Sequence, residues 1–297
     1  MAHSHETNQI SKKKLLITII LNLVITAAQI AGGLISGSLA LISDAVHNLS
    51  DSISIILAYI AQILSGKPVT QKSTFGYKRA ETLAAFINSV VLIGISVYLV
   101  IEAIERIQSP QQVDAKWMFW LGLLGLIANG ISVLILYREK NRNLNIKAAY
   151  LHLMGDALTS LAVVAGAVLI WLFQIYWIDP AVTILISIYL FVHSFELLKE
   201  SVVILMQMAP SQTETSEIKK RLKQEPALKN VHHIHLWKLT DKIVHFECHA
   251  ELKENLKVSE TGKIFETLQK ILHDEFDIEH VTIQFEHESS HEEDCEG

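Results

Sequence analysis

Six stretches of apolar residues dominate the first two thirds of the chain. They lie near residues 14–35, 39–64, 82–106, 117–137, 147–173 and 178–205. Each is long enough to cross a bilayer, which takes about 20 helical residues at a rise of about 1.5 Å per residue. From residue 211 onward, charged residues are as frequent as in an ordinary globular domain. The pattern therefore predicts a membrane domain of six transmembrane helices followed by a small soluble domain.

The distribution of lysine and arginine predicts how these helices are oriented. Positive charges collect before the first span (Lys12–Lys14), between the second and third (67–79), and between the fourth and fifth (138–147). The opposite connections carry almost none, so both termini are expected on the cytoplasmic side. The predicted parts are an N-terminal tail (1–13), the six-span domain (14–208), a cytoplasmic domain (209–288) and a flexible tail (289–297).

Composition narrows the function. The 297 residues are 50% hydrophobic and 19% charged, which argues against a purely cytosolic enzyme. The net charge of −6 makes nucleic acid a poor partner. Cys248 and Cys295 are the only cysteines, so one chain can build neither a disulfide scaffold nor a four-cysteine metal site. A metal would have to be held by nitrogen and oxygen.

Ionisable residues inside two of the spans are the strongest functional signal. The second span carries Asp44, His47 and Asp51, and the fifth carries His152 and Asp156. The spacing His-x-x-x-Asp thus occurs twice, and residues four apart project from the same face of a helix. Such groups are expensive in a membrane and usually face a polar interior.

The two motifs lie on spans of opposite direction, so they can meet head to tail. His47 would then lie level with Asp156, and Asp51 level with His152. Two imidazoles and two carboxylates offer a tetrahedral shell of the kind that zinc prefers. The alternative is an intrahelical hydrogen bond in each pair, with no metal. Asp44, one turn further out, is a candidate for an accessory residue at the mouth or beside the ligands, with a role as a ligand as the equal alternative.

Charge indicates what such a site would do. A divalent cation held by two carboxylates and two neutral imidazoles is electrically neutral, so the loaded site can be re-exposed across a low-dielectric layer. The empty site carries two negative charges unless protons replace the metal, and imidazole accepts protons near neutral pH. These residues predict proton-coupled movement of a divalent metal, in a direction that they do not fix.

The soluble domain has the pattern helix, strand, strand, helix, strand, at 214–223, 231–239, 242–252, 259–275 and 278–286. This order predicts an α+β open sandwich of the ferredoxin-like type, too small to be an enzyme domain by itself. Its candidate metal ligands are His232, His233, His235, His249 and Glu286. The alternative is a solvated polar face with incidental histidines.

Four motifs carry a resemblance to a known family. They are SDAVHNLSD at 43–51, FGYKRAE at 75–81, His152-x-x-x-Asp156, and VHHIHLW at 231–237. The chain resembles the cation diffusion facilitators, most closely their bacterial zinc, cadmium and cobalt exporters. The resemblance implies a homodimer with a metallochaperone-like cytoplasmic domain that exports metal against inward proton flow.

The resemblance also implies roles for individual residues. The transport-site positions carry over to His47, Asp51, His152 and Asp156, and histidine at position 47 implies selectivity for zinc and cadmium. In the cytoplasmic domain, His232, His249 and Glu286 are the strongest candidates. Many eukaryotic zinc transporters of the family have a long histidine-rich loop between spans four and five. The corresponding connection here, 137–147, is short, which indicates a bacterial protein of the inner membrane. Its partners would be a second copy of the chain and membrane lipid, and neither nucleic acid nor an organic small molecule. Zn²⁺ would be the transported ion and could also regulate the protein, and protons would be the counter-ion.

Two other classes of function remain as alternatives. An intramembrane zinc-dependent hydrolase needs an open coordination position and a general base, yet four protein ligands fill the shell and no additional glutamate lies beside either motif. A metal sensor or structural membrane protein would bind zinc and move none.

Overall fold

The computed structural model describes residues 20, 22–137, 140, 144–210 and 213–288. The predicted tails at 1–13 and 289–297 lie outside the described residues. In chain order the elements are α1 (Asn22–Ser36), α2 (Leu39–Ser65), α3 (Ala80–Gln108), α4 (Ala115–Tyr137), α5 (Leu144–Phe173), α6 (Ile178–Leu205), α7 (Thr215–Leu222), β1 (Leu228–Lys238), β2 (Val244–Leu252), α8 (Val258–Phe276) and β3 (His280–Glu286).

Within the described ranges, four helices are long and apolar enough to cross a membrane. These are α3, α4, the Tyr150–Phe173 part of α5, and α6. Helix α2 has 27 residues and carries serine, aspartate, histidine and asparagine side chains in its first half. The first predicted span is described only in part, as α1. The count of six spans therefore stays a prediction.

The helices bury polar side chains and expose apolar ones, the reverse of a soluble bundle. Ser43, Asp44 and Ser160 are fully buried, whereas Leu134 and Leu185 are about 70% exposed. The interior also contains an apolar cluster, in which buried side chains of α2, α4, α5 and α6 pack together, among them Leu41, Met118, Val163 and Ile186. An apolar outer surface around a polar interior fits a protein surrounded by lipid.

The start of α2 is held by a carboxylate from α6. The hydroxyl oxygen of Ser38 accepts a hydrogen bond from the N–H of Leu41, as the side chain of an N-cap residue does. Asp179 accepts from the N–H of Leu39 at 2.9 Å, from the N–H of Ala40 at 3.3 Å and from the Ser38 hydroxyl at 2.5 Å. These contacts satisfy N–H groups that have no partner within the helix. They also tie the first turn of α2 to α6.

The soluble domain has the predicted order helix, strand, strand, helix, strand, and the predicted fold class is confirmed. Its sheet has the order β1-β2-β3, with β1 antiparallel to β2 and β2 parallel to β3. One face of the sheet packs against α7 and α8, where Phe246, Leu222 and Leu272 are almost fully buried. Cys248 lies in this apolar core, and burial raises the pKa of its thiol to about 12.

Strand β1 contains a bulge at its histidines. His232 pairs with His249, and His235 pairs with Glu247. Three steps along β1 therefore match only two steps along β2. The extra residue falls at His233, which has a φ of 51°, in the left-handed region. Val231 and Leu236 therefore both reach the core although they are five residues apart.

By compactness the chain divides into two units, Met1–Ile60 with Ile87–Leu197, and Ala61–Phe86 with Leu198–Gly297. In the second unit the loop before α3 contacts the sheet: the Phe75 ring lies edge-on to the His245 ring, with centroids 5.5 Å apart. The domain boundary at residues 208/209 stays a prediction from the sequence pattern.

Candidate metal centre

Helices α2 and α5 bring their paired histidines and aspartates to one point. His47 Nε2 lies 2.8 Å from Asp156 Oδ1 and 3.8 Å from Asp51 Oδ2. His152 Nε2 lies 3.6 Å from Asp51 Oδ2 and 3.8 Å from Asp156 Oδ2. Each imidazole thus contacts both carboxylates, one on its own helix and one on the other. We call these four residues the α2–α5 cluster.

The spacing of the cluster is close to that of a zinc shell. A zinc ion bound tetrahedrally at about 2.0–2.2 Å holds its ligand atoms about 3.3–3.6 Å apart. Ligand atoms of His47, Asp51 and Asp156 already lie within 4.8 Å of one another. The Nε2 atom of His152 lies within 3.8 Å of both carboxylates. Two imidazoles and two carboxylates can therefore hold a divalent cation with small side-chain movements.

The two ends of the cluster differ in exposure. The side chains of His47 and Asp156 are 2% and 5% exposed, whereas those of Asp51 and His152 are 27% and 35% exposed. An ion can therefore approach the cluster from the Asp51–His152 end. The His47–Asp156 end is closed by protein.

Asp44, the predicted accessory residue, lies one turn beyond the closed end and is fully buried. Its carboxylate accepts hydrogen bonds from Thr159 at 2.9 Å, from Ser160 at 3.1 Å and from the Gln29 amide at 3.1 Å. Gly125 allows this arrangement, because a Cβ there would collide with the side-chain amide of Gln29. Asp44 thus links α1, α2 and α5 behind the cluster, and both of its oxygens are engaged.

Helix α6 supplies two residues that the sequence reasoning missed. The Tyr189 ring lies edge-on to His47 with centroids 5.8 Å apart, and the His193 ring stacks on His152 at 5.7 Å. The Tyr189 hydroxyl packs where a side chain at position 155 would stand, so the site needs Gly155. A histidine in the middle of a predicted span was a usable signal for His193, whereas no pattern marked Tyr189.

The sheet brings together three of the five predicted cytoplasmic ligands. His249 Nδ1 lies 2.8 Å from Glu286 Oε1, and His232 Nε2 lies 3.4 Å from Glu286 Oε2. Both ring nitrogens of His232 are buried and make no hydrogen bond within the described residues. Buried polar groups normally have partners, so this trio, which we call the sheet cluster, has the geometry of a metal site.

His233 and His235 lie beside the sheet cluster because of the bulge in β1. His233 stacks on His249 with centroids 4.6 Å apart, and its Nε2 is 3.3 Å from that of His235. Their rings are more exposed than that of His232. Cys248, whose thiol stays protonated at neutral pH, adds no ligand from the opposite face of β2.

Comparison with known proteins identifies the family. Residues 15–206 match the model described as "Cation efflux transmembrane domain". Residues 210–288 match the family's dimerisation domain, described as "Cation efflux protein, cytoplasmic domain". The chain belongs to the cation efflux family. As a cation efflux protein it is a membrane transporter and not an enzyme, so the predicted family is confirmed and the intramembrane hydrolase is not favoured.

Cation efflux relatives resemble the chain over nearly its whole length. It is 36% identical to the metal cation efflux system protein CzcD of Cupriavidus metallidurans, covering 96% of this chain and 89% of that protein. It is 38% identical to the "Cadmium, cobalt and zinc/H(+)-K(+) antiporter" of Bacillus subtilis, covering 97% and 93%. It is 35% identical to the zinc transporter ZitB of Escherichia coli, covering 99% and 95%.

Among solved structures, the metal-bound C-terminal domain of the CzcD transporter from C. metallidurans matches with 32% identity and a TM-score of 0.23. It covers 25% of this chain and 99% of that domain.

Proposed function

We propose that the chain exports Zn²⁺, and also Cd²⁺, from the cytoplasm in exchange for protons, with the α2–α5 cluster as its transport site. The observation that carries the proposal is that each imidazole of the cluster contacts both carboxylates, inside a bundle whose outer surface is apolar. Such a shell matches the nitrogen and oxygen ligands that zinc accepts. The relatives whose names include zinc, cadmium or cobalt support the choice of metal.

The proton exchange follows from charge. With a divalent ion bound, the two carboxylates and two neutral imidazoles sum to zero, so the loaded site can move through a low-dielectric environment. Without the ion, two negative charges remain unless protons bind to the same groups. The name of the B. subtilis relative, which includes H⁺, supports this coupling.

The exposure of the cluster supports loading from the cytoplasm. In the orientation predicted from the positive charges, α2 runs towards the cytoplasm and α5 away from it. Asp51 and His152 then form the cytoplasmic end of the cluster, and they are the more exposed pair. We propose alternating access in which this end closes and the His47–Asp156 end opens to release the ion.

We further propose a homodimer in the inner membrane of a bacterium, with six spans over 14–208, both termini in the cytoplasm and the cytoplasmic domain at 209–288. The sheet cluster would bind a regulatory Zn²⁺, with His233 and His235 close enough to contribute. In support, His232 has two buried ring nitrogens without hydrogen bonds in the described part of the chain.

Zinc uptake into proteoliposomes tests the transport site. Vesicles with an acidic lumen, a trapped zinc dye and a trapped pH dye should accumulate zinc while the lumen becomes less acidic. Asp51→Ala should abolish uptake, because it removes a ligand and leaves the loaded site with an uncompensated positive charge. Glu105→Ala, which removes an exposed carboxylate of α3, is the control and should retain uptake.

Each part of the proposal has a result that would contradict it. Uptake that ignores the imposed pH gradient would exclude proton exchange. Asp51→Ala vesicles that fill as fast as the wild type would exclude the α2–α5 cluster as the transport site. Binding of zinc without any accumulation would favour a sensor over a transporter.

A further inference from the structure

Helix α6 presents two rings to the α2–α5 cluster at two different depths. Tyr189 and His193 are four residues apart, and their rings are nearly parallel, with centroids 6.3 Å apart and an interplanar angle of 5°. They therefore project from the same face of α6. Tyr189 contacts His47 at the closed end of the cluster. His193 contacts His152 at the open end.

The position of His193 places it where an ion would arrive. Like Asp51 and His152, His193 is partly exposed, in contrast to the buried His47. It also lies within electrostatic range of the Asp51 carboxylate and of Glu196. Glu196 follows three residues later on α6 and is exposed, so its carboxylate lies on the same side of the helix and further from the closed end.

We infer that His193 is a transient ligand, which takes the incoming cation and passes it to Asp51 and His152, with Glu196 attracting the cation towards it. This inference rests on the proposed function. An imidazole binds Zn²⁺, Cd²⁺ and Co²⁺ better than Mg²⁺ or Ca²⁺, which prefer oxygen ligands. The His193 ring would replace one water of the hydrated ion, and the cluster residues would then replace the imidazole.

A transient ligand has a kinetic signature. It speeds loading and unloading from the same side by the same factor, so the equilibrium affinity of the cluster does not depend on it. Its loss slows capture, which limits transport at low zinc concentration, and leaves the rate at saturation nearly unchanged.

The informative variant is His193→Phe, which keeps an aromatic ring stacked on His152 and removes both ligating nitrogens. In proteoliposomes we expect kcat/KM for Zn²⁺ to fall about tenfold with kcat changed less than about twofold. Equilibrium zinc binding by the detergent-solubilised dimer should stay within about twofold of wild type. Glu196→Gln should lower kcat/KM about threefold, and by less at high salt, because its effect is electrostatic steering.

Two further variants make the result decisive. His193→Gln should behave like His193→Phe, so either variant suffices if the other fails to assemble as a dimer. Phe195→Leu changes an exposed ring of the same helix and should transport like wild type.

Three results would overturn the inference. Wild-type kcat/KM in His193→Phe would mean that the ring only packs against His152. Zinc affinity that falls in step with kcat/KM would mean that His193 is a permanent ligand or positions one. Wild-type vesicles that move no zinc would overturn the proposed function itself, which is a different outcome from transport that is indifferent to His193.

Discussion

Removing the carboxylate of Asp179 should destabilise the helical bundle, because that carboxylate holds the first turn of α2. In Asp179→Ala, the N–H groups of Leu39 and Ala40 lose their partner in a fully buried position. A buried donor left without a partner costs about 1–3 kcal/mol, and the lost negative charge at a helix start costs up to about 2 kcal/mol. The carboxylate no longer has to be desolvated, which offsets part of this cost. We expect a net loss of about 3 kcal/mol.

Thermal unfolding in detergent, followed by tryptophan fluorescence, measures this loss. For a domain of this size, about 3 kcal/mol corresponds to a fall in Tm of about 6–12 °C. Asp114→Ala is a matched control. Asp114 accepts hydrogen bonds from the N–H groups of Lys116 and Trp117 at the start of α4, but its side chain is exposed. Water can replace it, so we expect a loss of about 1 kcal/mol or less. Equal Tm values for the two variants would refute the argument from burial.

Two predictions concern the cytoplasmic domain. Glu286→Gln should weaken zinc binding to the sheet cluster at least about tenfold, as measured by calorimetry on the solubilised dimer, with Glu279→Gln as the exposed control. Unchanged binding would contradict the assignment of Glu286 as a ligand. Burial raises the pKa of Cys248 from near 9 to about 12, so the stability that its protonated thiol contributes is complete below pH 9 and is lost as the pH rises through about 12. The denaturant concentration at the unfolding midpoint should therefore fall more steeply above pH 9 in wild type than in Cys248→Ala. The same pH dependence in both proteins would contradict this prediction.

The convergence of the α2–α5 cluster could be predicted because its signal is local. Two identical His-x-x-x-Asp spacings on predicted spans of opposite direction are enough to bring four side chains together, and the structure has them in contact. The pattern of the soluble domain was equally readable, since Phe246, Cys248 and Ala250 alternate along β2. Strand β1 begins at Leu228, earlier than predicted, because the polar Lys229 and Asn230 interrupt the apolar alternation.

Contacts between distant parts of the chain could not be predicted in this way. Ser38 and Asp179 are 141 residues apart. Asp179 stands out as a carboxylate at the start of an apolar span, but nothing in the sequence indicates that it binds the first turn of α2. The partners of Asp44 come from α1 and α5, so only the packed bundle shows that its carboxylate is fully hydrogen-bonded. The bulge at His233 depends on one backbone angle, for which a histidine is no signal.

That bulge also determines which changes of length the cytoplasmic domain can survive. In a regular strand, Val231 and Leu236 would face opposite sides of the sheet. Deleting His233 would leave them four residues apart, a spacing at which a regular strand places both on one face, so the bulge would be lost and the core would keep both side chains. Strand β2 has no extra residue there, so deleting Glu247 would make Phe246 and Cys248 neighbours on opposite faces and turn one of them out of the core, at a cost of about 1.5–3 kcal/mol for a large apolar side chain. The extra residue thus makes β1 tolerant of a one-residue deletion at His233, whereas its neighbour β2 has no such slack.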